Sequence, residues 1–285
     1  MSTPLWQPGY ATSGLVCHRL GDALNLLHEH GYRAAVITPD AAHLDSRRDD
    51  YATEVRRCAA QLANFEMACI VETGSRFLLD PRRKHSPTLL DDDAAARIAF
   101  LRECLQLAHA LGAPCVSLWS GTLPTALPSA VAWQRMRERL LPLLDEAAAL
   151  GIVLGFEPEP GMFVETVADW HTLRALCGAH PALRLALDCG HVIANNEGVP
   201  HDILLRESQH LAWVAIEDMR HGVHEHLPFG EGDVDLPALL RALDASAFAG
   251  VVAVELPRHA HMGAAMVQQC RKVLGALGAP FRQGS

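Results

Sequence analysis

The 285-residue sequence has few of the features that mark several large classes of protein. Its eight cysteines include no Cys-x-x-Cys pair and no compact spacing, which favours reduced, mostly buried thiols in a cytosolic protein. Basic residues are also scarce, with 24 Lys and Arg against 33 Asp and Glu, giving a formal charge of −9. Because no basic excess is available to meet phosphates, we expect no nucleic-acid partner.

Long apolar runs and two common site motifs are missing as well. No run approaches the roughly 20 apolar residues of a membrane span. The segment Met1–Pro8 lacks the basic and apolar regions of a signal peptide, so we expect a cytoplasmic protein without a membrane partner. The glycines at Gly230-Glu231-Gly232 do not form Gly-x-Gly-x-x-Gly, and Gly-x-Ser-x-Gly is absent, which argues against a dinucleotide site and serine-hydrolase chemistry.

Short apolar runs alternating with helical patterns are what the sequence does contain. The length fits two average domains or one large α/β barrel. The predicted strands are Tyr10–Leu15, Ala34–Thr38, Met67–Glu72, Cys115–Leu118, Ile152–Phe156, Leu183–Leu187, Leu211–Ile216 and Val251–Val254. The predicted helices are Leu20–His30, Tyr51–Asn64, Asp91–Leu111, Ser129–Leu150, Thr166–Cys177, Ile203–Gln209, Leu236–Leu243 and Gly263–Leu274. Eight such repeats without a linker predict a single (β/α)8 TIM barrel domain over residues 1–285.

Several of the predicted strands end on an acidic residue. The strand before Glu157 stops there because Pro158 and Pro160 cannot continue it. Two further predicted strands are followed by an acid, Asp188 in one case and Glu255 in the other, and Glu72 follows Met67–Val71. A single strand-end acid usually reaches solvent, but a buried one needs a metal, a partner or a substrate. In a barrel these ends meet on one rim, so the repetition predicts a shared site.

Histidines accompany these acids late in the sequence. His191 follows Asp188 by three residues, and His221, His224 and His226 follow Glu217-Asp218. A lone histidine is more often a surface or core residue than a ligand. Clustered with carboxylates on one rim, these imidazoles favour a site for Mn, Mg, Co, Zn or Fe.

Taken in order, these motifs resemble the xylose-isomerase-like barrel superfamily of sugar isomerases and epimerases, which also includes the family-two apurinic endonucleases. The matching segments are Glu157 in Gly-Phe-Glu-Pro-Glu-Pro-Gly, Asp188 with His191, Glu217-Asp218, His226 through Gly-Glu-Gly, and Glu255 in Val-Ala-Val-Glu-Leu. The resemblance implies one divalent metal ion held by Glu157, Asp188, position 215 and Glu255. Position 215 is Ala where the family pattern has His. The nearest histidines that could replace this ligand are His226 and His191. With His226 in that place, the expected metal ligands are Glu157, Asp188, His226 and Glu255. A metal site formed by His191, His224 and His226 is an alternative.

The resemblance also implies roles for the remaining residues. Glu157 and Glu255 would be the acid/base pair, one on each side of the substrate. Substrate hydroxyls would be bound by His191, Glu159 or Glu165, Glu217 and Arg258. The loop Thr73–Leu90 contains Arg82, Arg83, Lys84 and His85, which fit either a phosphate site or a solvated basic loop.

The function predicted on this basis is a metal-dependent isomerase or epimerase acting on a sugar, a cyclitol or a related polyol ketone. It would remove a proton next to the carbonyl and proceed through an enediolate, with a divalent Mn, Mg, Co or Zn ion as cofactor. The alternatives are a lyase or dehydratase on the same scaffold, a multi-metal phosphoesterase, and a binding protein that has lost catalysis, as Ala215 would suggest. The exposed barrel helices permit a homodimer.

Overall fold

Eight parallel strands form a closed barrel in the computed structural model, which describes residues 5–282. Each barrel strand pairs with its neighbours in chain order, and the last strand closes onto the first. The barrel strands are β1 Gln7–Ala11, β2 Ala34–Ile37, β3 Ala68–Glu72, β4 Cys115–Leu118, β5 Val153–Phe156, β6 Leu183–Asp188, β7 Leu211–Ile216 and β10 Val251–Val254. The two remaining strands, β8 Asp218–Arg220 and β9 Val223–Leu227, form a separate antiparallel hairpin.

Helices connect the strands and cover the outside of the barrel. They are α1 Leu20–Glu29, α2 Tyr51–Asn64, α3 Ala95–Leu111, α4 Ser129–Ala149, α5 Val167–Leu176, α6 Cys189–Ala194, α7 Pro200–Glu207, α8 Leu236–Ala245 and α9 Gly263–Ala276. In the described residues, no helix combines the length and apolar character needed to cross a membrane. All eight cysteines are unpaired, and only Cys17 is exposed.

The predicted single-domain (β/α)8 barrel is confirmed, with a few differences at element ends. The first strand lies earlier than predicted, at Gln7–Ala11, because Thr12–Leu15 tightens into a 3-10 turn. Helix α3 begins at Ala95 rather than Asp91, since the Asp91 carboxylate accepts the Thr88 amide and thereby shapes the preceding loop. Helix α6 and the β8–β9 hairpin have no counterpart in the predicted elements.

Side chains alternate between the inside and the outside of the barrel, as they must along any strand. Outward residues pack against the helices in the main apolar core. Inward residues form a second, smaller cluster made entirely of strand residues: Ala11, Ala34, Val36, Ile70, Cys115, Ala186, Trp213, Ala215, Val251 and Ala253. The next inward position at the end of five strands is an acid: Glu72, Glu157, Asp188, Glu217 and Glu255. The strand-end acids therefore cover the apolar interior at one mouth of the barrel.

Candidate functional site

A cavity of about 250 Å³ opens at the carboxyl ends of the barrel strands. It is lined by Ser13, Glu72, Gly74, Arg76, Lys84, His85, Trp119, Glu157, Glu159, His191, His224, His226, Glu255, Pro257 and Arg258. The carboxyl groups of Glu72, Glu157 and Glu255 come from the strand ends, while the imidazoles and the cations come from segments that follow the strands. A polar cavity at this mouth is where barrel enzymes carry their chemistry.

Two glutamates enter this cavity from strands that are separated by β6 and β7. Glu157 follows β5 and is 6% exposed, and Glu255 follows β10. Burial, followed by the charge of Glu255, raises the pKa of Glu157 well above its usual range. Burial, followed by the charge of Glu72, does the same to the pKa of Glu255. The barrel thus holds two carboxyl groups that keep their protons more strongly than ordinary glutamates.

The turn into helix α6 places His191 between two carboxylates. Asp188 is the N-cap of this helix, and its Oδ1 accepts the His191 amide at 2.9 Å. The His191 ring then brings Nε2 to 3.4 Å from Asp188 Oδ2 and Nδ1 to 3.5 Å from Glu157 Oε1. Burial raises the pKa of Asp188, but His191 and further neighbours outweigh it, so the pKa is lowered overall. Asp188 is therefore the carboxylate that stays ionised here.

The β8–β9 hairpin carries two more imidazoles to the cavity. Asp218 fixes it, because its carboxylate accepts the amides of Gly230 at 2.8 Å and Val234 at 3.0 Å. His224 and His226 project from β9, and their ring centroids lie 5.4 Å apart. Burial lowers the pKa of His224 to about 4 and that of His226 to about 3. Both imidazoles are neutral at physiological pH, the form in which histidine binds metals.

A group of buried polar atoms beside this cavity has no hydrogen-bond partner in the described residues. The atoms are Asp188 Oδ2, His191 Nε2, Glu217 Oε1 and Oε2, His224 Nε2 and His226 Nδ1. Buried polar atoms are rarely left unpaired, so such a concentration needs a physical reason. Donor atoms within 4.8 Å of one another form three groups: Asp188, Glu217 and His226; Glu157, Asp188 and His191; and His191, His224 and His226. Mixed carboxylate and imidazole donors of this kind fit a divalent cation.

The predicted metal ligands are only partly brought together. Asp188 and His226 share one of these groups, and Glu157 joins Asp188 in another. Glu255 lines the same cavity but belongs to none of the three groups. Ala215, the position of the family histidine, pairs with Asp188 and Ala253 and points its methyl group into the barrel, so it offers no donor atom.

The predicted substrate-binding residues fall in two places. His191, Glu159 and Arg258 line the cavity, as predicted for contact with a ligand. Glu217 instead lies buried beside Asp188 and His226. Glu165 is absent from the cavity lining, and its carboxylate accepts the Gly161 amide. The roles of these residues stay predictions.

The basic loop after β3 contributes two of the four residues that its sequence suggested, since Lys84 and His85 line the cavity and Arg82 and Arg83 do not. Arg83 forms an ion pair with Asp80, 2.7 Å away, while Lys84 and His85 reach the cavity together with Arg76. The buried Arg97 holds this loop, since its guanidinium donates to the carbonyls of Pro87 at 2.8 Å and His85 at 3.0 Å. Sequence reasoning missed Arg76 as a lining residue, although its place in this basic loop was a usable signal.

Residues 24–275 match the family model described as xylose isomerase-like TIM barrel. The chain belongs to this family. The resemblance seen in the strand-end acids and the Gly-Glu-Gly segment is thereby confirmed. Membership concerns the fold and the ancestry of the chain, and the expectation that Ala215 replaces a family histidine stays a prediction.

Relatives within the xylose isomerase-like family include sugar epimerases. The L-ribulose-5-phosphate 3-epimerase UlaE of Shigella flexneri serotype 5b is 26% identical over 196 residues, which is 66% of this chain and 66% of the relative. The chain thus spans about two thirds of that relative's length. The predicted kinship with sugar isomerases and epimerases is confirmed at the level of the family.

Solved structures share the fold over nearly the whole chain. An IolI protein described with a bound zinc atom has a TM-score of 0.75 and 17% identity, covering 97% of this chain and 99% of the other. A D-allulose 3-epimerase from Methylomonas sp. in complex with D-allulose has a TM-score of 0.74 and 16% identity, covering 96% and 97%. At these identities the likeness establishes the barrel fold.

Proposed function

We propose that the protein is a metal-dependent isomerase or epimerase acting on a sugar, a cyclitol or a related polyol ketone. One observation carries the proposal: Glu157 and Glu255 reach a single cavity beside a buried group of unpaired carboxylate and imidazole atoms. The names of the relatives, among them a ketose-phosphate epimerase, support a ketose-like substrate. Which ketose it is depends on the loops around the cavity.

The residues that would hold the cation are Asp188 and His226, with Glu157 and Glu255 close by as further candidates from the predicted set. A divalent ion bound there would act as a Lewis acid and stabilise the negative charge that develops when the proton is removed. The neutral His226 and the ionised Asp188 are already in the protonation states that metal binding requires.

The two glutamates supply the proton transfers. One carboxylate removes the proton from the carbon next to the carbonyl, and a carboxyl group returns a proton to the neighbouring carbon or to the opposite face. The first outcome is isomerisation and the second is epimerisation. Their raised pKa values suit this role, since the ionised form of each carboxyl group is a stronger base than that of an ordinary glutamate.

The cavity lining would orient the substrate between these groups. His191, Glu159 and Arg258 offer donors and acceptors for hydroxyl groups. Burial, followed by the charge of Glu72, raises the pKa of Glu159 to about 8, so its carboxyl group can donate a hydrogen bond at neutral pH.

The test is proton exchange with solvent. Purified protein is stripped with a chelator, reloaded with Mn²⁺, and incubated in heavy water with ketoses and cyclitol ketones. We expect deuterium at the carbon next to the carbonyl of one substrate, detected by NMR, only after metal is restored. Loss of water from the substrate instead would indicate the lyase or dehydratase, and the absence of any exchange across the panel would contradict the proposal.

A multi-metal phosphoesterase is a second candidate, because His191, His224 and His226 form a donor group of their own. Elemental analysis of the reloaded protein separates the two. One metal equivalent supports the isomerase or epimerase, whereas two or three equivalents with phosphoester cleavage support the phosphoesterase.

A further inference from the structure

We propose that Glu217 is a ligand of the metal ion in this barrel and compensates for the missing donor at Ala215. The inference rests on the proposed function in one respect, that a divalent cation binds at this mouth of the barrel. It assigns Glu217 to the metal rather than to a substrate hydroxyl, which was the role expected from the sequence.

The state of the Glu217 carboxylate is the first reason. Its side chain is 0% exposed, and within residues 5–282 no N–H group or hydroxyl donates to either of its oxygens, so the one hydrogen bond open to them is a proton shared with Asp188. No Lys or Arg in this part of the chain lies within ion-pair distance, and the nearest imidazole atom, His226 Nδ1, is 3.8 Å from Oε1. Ionising this buried carboxyl group is costly, and a divalent cation bound beside it would offset that cost.

The direction of the side chain is the second reason. Trp213 and Ala215 point into the barrel, and the two-residue period of β7 continues through Glu217. Glu217 is thus the next inward residue toward the mouth after Ala215, on the same face of the same chain segment. The longer glutamate can reach the cation site from its own position, beside Asp188 and His226.

Gly190 supplies the third reason, because it makes room for this carboxylate. A Cβ atom at position 190 would lie 2.1 Å from Glu217 Oε1 and 2.6 Å from Met219 Cε. Gly190 is in helix α6 and does not have the positive φ that favours glycine, so backbone geometry does not require it there. Glycine weakens a helix relative to alanine, and the space left for Glu217 is the local reason to keep it.

Asp188, Glu217 and His226 together form a compact donor set. One ligand atom from each lies within 4.8 Å of the others, and each of the three offers an unpaired atom. The set contains two carboxylates and one imidazole. Carboxylate-rich sites suit Mn²⁺ and Mg²⁺ more than sulfur- or nitrogen-rich sites do. The alternative is that Asp188 and Glu217 share a proton and bind no metal.

The test measures Mn²⁺ affinity directly, without reference to turnover. Glu217→Gln keeps the shape of the side chain and removes its charge, and Glu231→Gln is the matched control, since Glu231 is an exposed acid near the same hairpin. Titration of free Mn²⁺ by electron paramagnetic resonance should give wild-type affinity for the control. Loss of a residue that only hydrogen-bonds to a metal ligand typically lowers metal affinity by about 10–100-fold. Loss of a ligand itself should cost more, so Glu217→Gln should weaken Mn²⁺ binding by about 100-fold or more.

Two further variants keep the test decisive if Glu217→Gln folds poorly. Gly190→Ala should weaken Mn²⁺ binding by displacing Glu217. Glu217→Asp withdraws the oxygens by one methylene, so the visible absorption bands of the Co²⁺-loaded protein should shift. Melting temperatures in chelator show whether each variant is folded.

Wild-type Mn²⁺ affinity in Glu217→Gln, or unchanged Co²⁺ bands in Glu217→Asp, would overturn the assignment and favour the proton-sharing pair. The outcomes separate the two proposals. If the wild type exchanges substrate deuterium while Glu217→Gln binds Mn²⁺ normally, only the ligand assignment fails. If Glu217→Gln loses Mn²⁺ but no substrate exchanges deuterium in the wild type, only the proposed reaction fails.

Discussion

At the scale of single residues, the barrel mouth concentrates carboxyl groups whose ordinary charged state is suppressed. Burial raises the pKa of Glu157. Burial, followed by the charge of Asp188, raises the pKa of Glu217. Asp188 is the exception, since nearby imidazoles favour its charge. Carboxyl groups in different protonation states side by side are what acid/base chemistry requires.

Replacing Glu157 by Gln tests its place in the acid/base pair. The amide keeps the size of the side chain but cannot accept the substrate proton, so we expect turnover to fall by about 10²–10⁴-fold. Mn²⁺ binding should change far less, because Glu157 lies outside the donor group of Asp188, Glu217 and His226 to which we assign the ion. Steady-state kinetics on the deuterium-exchanging substrate, with bound Mn²⁺ measured in parallel, make the comparison. Full turnover in Glu157→Gln with Mn²⁺ bound would show that another group moves the proton.

Glu207 offers a test of pH dependence away from the cavity. Its carboxylate accepts hydrogen bonds from Arg206 at 2.8 Å and His171 at 3.0 Å. Burial raises the pKa of Glu207, but these hydrogen bonds outweigh it and lower the pKa overall. The unfolded chain therefore binds more protons at acidic pH, so this contribution to stability is complete above the unfolded pKa of about 4.3 and is lost as the pH falls below it.

Glu207→Gln should consequently lower the free energy of unfolding by about 1–3 kcal/mol at pH 7. The difference in the free energy of unfolding between the wild type and Glu207→Gln should narrow as the pH falls below about 4. Urea unfolding followed by circular dichroism at several pH values measures both. A gap that stays constant across this range would mean that the carboxylate charge does not contribute.

At the scale of elements, the β8–β9 hairpin determines where His224 and His226 lie. Asp218 connects the hairpin to the following loop, and Gly232 lies so close that a Cβ there would be 2.5 Å from Asp218 Oδ1. The Gly-Glu-Gly segment therefore has a structural role, since it lets the loop wrap around this carboxylate.

Asp218→Ala should loosen the hairpin without disrupting the barrel. Removing the shared acceptor leaves the Gly230 and Val234 amides unpaired, which costs about 1–3 kcal/mol for each group that stays buried. Faster hydrogen exchange over residues 218–234 and weaker Mn²⁺ binding are the expected results. Asp233→Asn, near the hairpin turn, is the control, because Asp233 accepts only the His221 amide there. Unchanged exchange in Asp218→Ala would show that the hairpin is held by other contacts.

The sequence predicted the barrel strands well and the hairpin not at all, for a physical reason. Buried parallel strands such as Leu183–Leu187 are short apolar runs that stand out from their surroundings. Strand β9 carries His224, Glu225 and His226 in succession, so neither an apolar run nor an alternating pattern marks it. The turn at Gly222, with φ of 72°, was the available signal.

Within the candidate site, the sequence predicted which residues lie near the cavity more accurately than what each one contacts. Glu157, His191 and Arg258 line the cavity, as adjacency to strand ends implied. The burial of Glu217 beside Asp188 depends on the space left by Gly190 and on the packing of the hairpin, which are long-range features. No local pattern in the sequence encodes such contacts.

At the scale of the whole molecule, the unpaired donors should couple metal binding to stability. A cation that binds only the folded protein, present at 100 times its dissociation constant, stabilises it by about 2.7 kcal/mol, which corresponds to about 5–10 °C in melting temperature. Calorimetry of chelated protein with and without Mn²⁺ measures this, and Glu217→Gln at the same Mn²⁺ concentration is the control. An equal melting temperature with and without Mn²⁺ would indicate that the folded protein does not bind the ion.

The central claim is that one cation lies among Asp188, Glu217 and His226 at the mouth of the barrel. Anomalous diffraction from crystals soaked in Mn²⁺ locates the ion without any assumption about the reaction. The account predicts a single strong peak in contact with the Asp188 and Glu217 carboxylates and His226 Nδ1. A peak held only by His191, His224 and His226, or no peak at the barrel mouth, would contradict it.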